Sequence, residues 1–342
     1  MTRQEKIRRR KAARRRKIIA LIMGLCIIVL LAVAVFLVIK NRSQDAEKKN
    51  VQETQSENND NTHLEDASND SAEDTANQAE TAEPEPAMLE LTETQKYTGD
   101  LLLVNDQYPY HFEENADSLQ LVNIKEAQTV SYAVNKEDMQ LALRIMAPLD
   151  QMIAACNSAL NVTTTGISSA YRSIEYQQSV YDQYVADYGQ EYADAYVATP
   201  GYSEHHTGLA MDLGIYYEDG SEGSFSESEN AVWMEENAYH YGFVRRYKES
   251  KVAITGINNE AWHFRYVGIP HATYMNNNDL CLEEYLDLLK TTTTQETPLQ
   301  IDCETGSYQV FYTNAVSIPQ PEGTYEISGN NSDGYIITVS VG

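Results

Sequence analysis

Pro200-Gly201-Tyr202-Ser203-Glu204-His205-His206-Thr207-Gly208-Leu209-Ala210-Met211-Asp212-Leu213 sets an imidazole, His205, seven positions ahead of a carboxylate, Asp212, across a Thr-Gly turn that leads into an apolar run. The spacing brings two polar groups that resist burial to one point. Later in the chain Glu260-Ala261-Trp262-His263 adds a second imidazole and a carboxylate three residues before it. His205, Asp212 and His263 then read as metal ligands and Glu260 as a base. Three protein ligands and one open position is the arrangement of a catalytic zinc site. The ligand set also admits manganese or iron, but zinc suits it best.

Around this stretch the chain alternates strand and helix signals. Gly166 to Tyr171 reads as a strand that delivers Arg172, and Ser173 caps a helix running through Tyr188 to a stop at Gly189. Arg172 therefore stands at a strand-to-helix junction, where its planar two-pronged donor set suits a terminal carboxylate, the alternative being a structural salt bridge. Gly208 to Tyr216 alternates as the strand carrying Asp212. A helix follows over Asn230 to Tyr241 and stops at Gly242. Phe243 to Tyr247 and Trp262 to Val267 read as strands, and Asp279 to Lys290 as an amphipathic helix. Upstream, Leu101 to Asn105 reads as a short buried strand and Val134 to Leu160 as a core helix with Asn135 and Asp138 spaced as its cap. A strict strand would point Glu260 and His263 to opposite faces, so Glu260 is expected in the turn after Asn258-Asn259. His206 is expected to point away from the ligands, toward supporting structure or the surface. Trp262 is expected to wall the pocket or to be core. Strands and helices mixed without a strict βαβ repeat predict an α+β domain.

The segment Ser203 to Asp212, SEHHTGLAMD, fits S-x-H-x-x-G-x-A-x-D. With EAWH at 260–263 and SAYRS at 169–173 it resembles the VanY-type D-alanyl-D-alanine carboxypeptidases, zinc peptidases that trim peptidoglycan stem peptides. The three motifs stand in the right order, and the resemblance covers about Leu101 to Leu289. It implies the compact α+β fold shared with the hedgehog signalling domain, and Zn2+ on His205, Asp212 and His263 with Glu260 catalytic. It further implies that Arg172 receives the substrate's C-terminal carboxylate with Gln177 and Ser203 assisting, although Ser203 also suits a turn cap. Two other readings stand beside removal of the terminal D-alanine. One is an L,D-carboxypeptidase acting on tetrapeptide stems; the other is a non-catalytic wall-binding module on the same fold, against which the presence of Glu260 beside all three ligands argues.

The remainder of the 342 residues concerns placement. Ten Lys or Arg fall within residues 1–17, and Ile18 to Ile39 is an uncharged apolar run of 22 residues, long enough to span a bilayer as a helix. The basic cluster predicts a cytoplasmic N-terminus and a catalytic domain outside the cell membrane. Residues 40–96 are polar, acidic and poor in large apolar side chains, a composition that predicts a disordered linker. Past residue 42, 13 basic residues face 50 acidic ones, a formal charge of −37, which excludes binding nucleic acid by phosphate neutralisation. The expected partners are peptidoglycan stem peptides and the membrane. Outside the apolar run, Cys156, Cys281 and Cys303 are too few and too odd in number for a disulfide framework, although a single Cys281 to Cys303 bridge stays open. The peptidase is expected over 97–290. Residues 291–342 are expected to form a small β-rich appendage to which the resemblance does not extend.

Overall fold

The computed structural model describes residues 86–342. The basic tail, the apolar run Ile18 to Ile39 and the linker through residue 85 lie outside the described residues, among which no helix is long and apolar enough to cross a membrane.

The main elements are β1 (Ala133–Val134), α1 (Leu143–Leu160), β2 (Thr165–Ser169), α2 (Ile174–Tyr188), α3 (Gln190–Tyr196), β3 (Ala210–Tyr216), α4 (Glu229–Asn237), β4 (Phe243–Tyr247), β5 (Glu260–Tyr266), α5 (Ile269–Asn277), α6 (Leu282–Thr292), β6 (Leu299–Cys303), β7 (Gly306–Thr313), β8 (Thr324–Gly329) and β9 (Tyr335–Ser340), with shorter strands and turns named by their residues. The first sheet runs β1-β2-β3-β5-β4, with the short strand Glu222–Gly223 also paired to β3; β1 and β2 are parallel and the other neighbours antiparallel. The second sheet, β6-β7-β9-β8, is antiparallel throughout. This is the α+β arrangement expected.

Ile145, Leu149, Met152 and Ile153 recur at helical spacing along α1. All are fully buried, in one cluster with Ile167, Met211, Leu213 and Phe264 of the first sheet. Each such side chain stabilises the fold by roughly 1.5–3 kcal/mol relative to exposure, so α1 fixes the sheet that carries the ligands. A second cluster joins Leu101, Leu103 and Val244 to Ala272, Leu282, Tyr285 and Leu289 of α5 and α6, and to Ile301, Val310 and Ile336 of the second sheet. Residues 299–340 thus pack on α5, α6 and the segment around Leu101 through a shared apolar layer.

Several sequence expectations are corrected. The helix expected from Val134 begins at Leu143, capped at Ala142 rather than at Asn135 or Asp138, because Gln140–Ala142 first pairs as a strand with Leu121–Asn123. Leu101 to Val104 is buried, as expected, but joins no sheet. Side chains take its backbone groups instead: Arg265 donates to the Asp100 and Leu102 carbonyls, Asn331 to that of Leu103, and the Leu101 amide donates to Ser328. Part of the expected linker is folded onto the domain, since Met88–Glu90 pairs with Ser317–Pro319 and Leu91 is buried. Cys156, Cys281 and Cys303 are free thiols.

Candidate metal centre

The Ser203 to Asp212 motif folds as a 3-10 turn, Glu204–Thr207, that Ser203 caps and Gly208 closes in the left-handed region at φ 66°. A Cβ at Gly208 would also stand 3.0 Å from the Leu121 side chain and 3.2 Å from the Ala142 nitrogen, so both the backbone conformation and the space call for glycine. The turn is latched to the segment before α2 by both its histidines. His205 Nδ1 donates to the Ala170 carbonyl at 2.7 Å, and His206 Nδ1 to the Arg172 carbonyl at 2.7 Å. His206 Nε2 accepts from the Gly201 amide. His206 is thus fully buried and braces the turn, which removes the surface alternative.

From that turn β3 delivers Asp212, and antiparallel pairing places Asp212 directly opposite His263 of β5. Directly opposed residues put their side chains on one face about 4.5–5.5 Å apart at Cβ, so sheet register alone joins these two ligands. Glu260 stands at the first position of β5 rather than in the preceding turn. The expected face conflict is resolved by an irregularity: Tyr247 pairs with Glu260 and Arg245 with Phe264, so two residues of β4 oppose four of β5. The extra residues rotate the chain, and Glu260 Oε2 lies 3.7 Å from His263 Nδ1.

The three proposed ligands each offer one atom, and these atoms lie within 4.8 Å of one another. Asp212 Oδ1 is 3.1 Å from His263 Nδ1, and Asp212 Oδ2 is 3.4 Å from His205 Nε2. The remaining ring nitrogens already have partners, Ala170 for His205 and the Glu204 carboxylate, at 3.3 Å, for His263. A metal-binding imidazole typically has its other nitrogen so engaged. The donor set therefore fits a zinc ion through His205 Nε2, an Asp212 oxygen and His263 Nδ1.

Burial, then the charge of Arg172, pulls His205 down to about 4, which keeps it neutral and ready to ligate. Burial also acts to lower His263, but the hydrogen bonds it donates to Asp212 and Glu204 outweigh it and hold this imidazole up at about 9. Below that value a proton competes with a dication for the site, so metal uptake is accompanied by proton release. Burial pushes Glu260 up to about 8, with His263 opposing. A dication beside it would pull that value down and favour the carboxylate form that a base needs.

A cavity of about 410 Å³ opens over these groups. Arg172, Gln177, Ser203 and Trp262 line it, as do Tyr184, Tyr192 and Tyr196 from the Tyr-rich stretch between Tyr181 and Tyr202, which the sequence places over the approach to the metal motif. Arg172 donates from Nε to Ser169, from Nη1 to Gln177 and from Nη2 to Asp212 at 3.0, 3.2 and 2.8 Å. That occupies three of a guanidinium's five donors and leaves two. Gln177 is fully buried and donates to the Ala198 carbonyl, so it aims Arg172. Ser203 accepts from the His205 amide at 3.4 Å, the capping role. Trp262 is half-buried, one part against the core and one part in the cavity wall.

Sequence reasoning missed Glu204. Its carboxylate is fully buried and meets Arg246 Nε at 2.8 Å, Arg265 Nη1 at 3.0 Å and His263. Burial would raise its pKa, but the two guanidinium groups outweigh this and hold it ionised, well below the usual carboxylate range. The available signal was Arg246 and Arg265 inside apolar strand patterns, since a buried guanidinium requires an acid.

A buried His, Asp, His triad with an adjacent carboxylate in an open cavity defines a metal-dependent hydrolase. Residues 138–269 match the family model of the VanY D-alanyl-D-alanine carboxypeptidases. A D-alanyl-D-alanine carboxypeptidase of Enterococcus faecium is 35% identical over 261 residues, 74% of this chain and 78% of that protein. The bifunctional D-Ala-D-Ala dipeptidase and carboxypeptidase VanXYC of Enterococcus gallinarum is 31% identical over 52% of this chain and 98% of its own length. Among solved structures, the vancomycin-resistance D,D-dipeptidase VanXYg, in complex with a D-Ala-D-Ala phosphinate analogue, superposes with a TM-score of 0.65 at 32% identity. It covers 75% of this chain and 99% of that one. The chain belongs to the VanY D-alanyl-D-alanine carboxypeptidase family, and it is a zinc-dependent metallo-carboxypeptidase.

Proposed function

We propose that the protein is a membrane-anchored enzyme that removes the terminal D-alanine from peptidoglycan stem peptides outside the cell. The observation that carries this reading is the single cavity that holds the ligand triad, Glu260 and the two unspent donors of Arg172. When bound, zinc supplies Lewis-acid polarisation of the scissile carbonyl and of the attacking water. Glu260 takes a proton from that water as its oxygen adds to the carbonyl carbon. As the carbon–nitrogen bond breaks, the same residue hands the proton to the departing amine of D-alanine. Arg172, aimed by Gln177, pairs with the free carboxylate of the terminal residue, which selects the last peptide bond for cleavage. Ser203 holds the His205 turn in place, and Trp262 with the tyrosines excludes water from the cavity walls.

The stem specificity is tested by giving the purified domain defined tri-, tetra- and pentapeptide stems and weighing the products. Loss of one D-alanine from the pentapeptide with little attack on the tetrapeptide is expected. Preferential trimming of the tetrapeptide would make the enzyme an L,D-carboxypeptidase, and no cleavage of any stem would leave a wall-binding module.

The anchor rests on the charge difference across Ile18 to Ile39, with ten basic residues before it and a strongly acidic chain after it. Protease added to intact protoplasts is expected to remove the folded domain and spare the basic tail. Protection of the domain until lysis would place it in the cytoplasm.

A further inference from the structure

We propose that Glu204 is a positioning residue for the metal, holding His263 so that Nδ1 and not Nε2 faces the ion. A neutral imidazole carries a single N–H. Once Nδ1 ligates, that hydrogen must sit on Nε2, where the Glu204 Oε2 acceptor lies 3.3 Å away. The carboxylate is divided between two tasks: Oε1 receives both guanidinium groups, from Arg246 Nε at 2.8 Å and Arg265 Nη1 at 3.0 Å, while Oε2 is left to the imidazole.

The holder is itself held. Arg265 is locked by its bonds to the Asp100 and Leu102 carbonyls, and Arg246 by a two-pronged pair with Glu283 in the first turn of α6 at 2.9 and 2.6 Å. Two arginines and two glutamates balance in charge. The Tyr247 ring, with its centroid 4.8 Å from that of His263, closes another side of the imidazole. Glu204 directly precedes His205 in the same 3-10 turn, so one turn supplies one ligand and orients another.

Glu204→Gln is a sharp test because the amide must keep its oxygen toward the two arginines. Its NH2 donor then faces His263 Nε2 and favours the tautomer that carries the hydrogen on Nδ1, the form that cannot ligate there. Titrating zinc into the metal-free folded chain against a chromophoric chelator is expected to show affinity about 10- to 100-fold weaker than the parent. Glu283→Gln makes the same charge change one step further out, on Arg246 and not on His263, and it is expected to weaken zinc binding clearly less than Glu204→Gln does, even if it melts earlier. Should Glu204→Gln fail to fold, Glu204→Asp keeps the charge but draws the carboxylate back from His263, and weakened zinc binding by that variant supports the proposal. Parent-like zinc affinity in whichever Glu204 variant folds, or equal weakening by Glu283→Gln, would overturn it and leave Glu204 a structural counter-ion. Zinc binding is the readout, so the outcome is independent of the substrate proposed above.

Discussion

Glu260→Gln is expected to bind one zinc as the parent does and to turn over stem peptides about 10²- to 10⁴-fold more slowly, the range that loss of a general base produces. The expectation follows from placement. Glu260 is buried in the cavity wall with its carboxylate 3.7 Å from a ligand nitrogen, close enough to reach a water at the metal and outside the ligand triad itself. The amide is nearly isosteric, so the irregular start of β5 is kept while the proton carrier is lost. His263→Ala is expected to behave differently, losing metal and activity together, because Asp212 and His205 alone make a poor site. Metal analysis and steady-state kinetics on the two variants separate the roles. An empty site in Glu260→Gln would make Glu260 a ligand, and parent-like turnover would remove it from the mechanism.

Much of this site is legible in the sequence because its ligands are local to two motifs and the sheet register does the rest. His205 and Asp212 lie on one turn and strand, and β3 and β5 are antiparallel neighbours, so Asp212 must meet His263. What was not legible depends on distant parts of the chain. Glu204 reads as a solvated acid until Arg246 and Arg265 are seen to enclose it from two different strands. The place of Glu260 depends on residues of β5 that have no counterparts on β4, a feature that side-chain alternation does not reveal. Leu101 to Val104 carries the apolar run of a strand, yet side chains from residues far along the sequence satisfy its backbone, so periodicity points to the wrong partner. Helix α5, to which no sequence expectation was attached, carries Pro270 in its first turn, where a missing N–H costs nothing.

Arg172→Ala is the second change expected to have a large effect. A charge-assisted, two-pronged contact to the substrate carboxylate in a partly dry cavity is worth about 2–4 kcal/mol when removed, or roughly 30- to 1000-fold in kcat/KM. Arg172 also bonds Asp212 at 2.8 Å, so zinc content must be measured in the variant and kinetics compared at full loading. Amidating the C-terminus of the pentapeptide deletes the other half of the same contact, and it is expected to be as damaging to the parent enzyme as the mutation is. The two losses share one interaction, so combining them is expected to cost little more than either alone. That comparison, parent and Arg172→Ala on free-acid and amidated pentapeptide with products weighed, tests most directly whether this metal site is a chain-end peptidase. The parent should release one D-alanine from the free acid and leave the amide nearly untouched, with a coupled penalty in the variant. Equal cleavage of both peptides by the parent, or two penalties that simply multiply, would contradict it and make Arg172 a structural partner of Asp212.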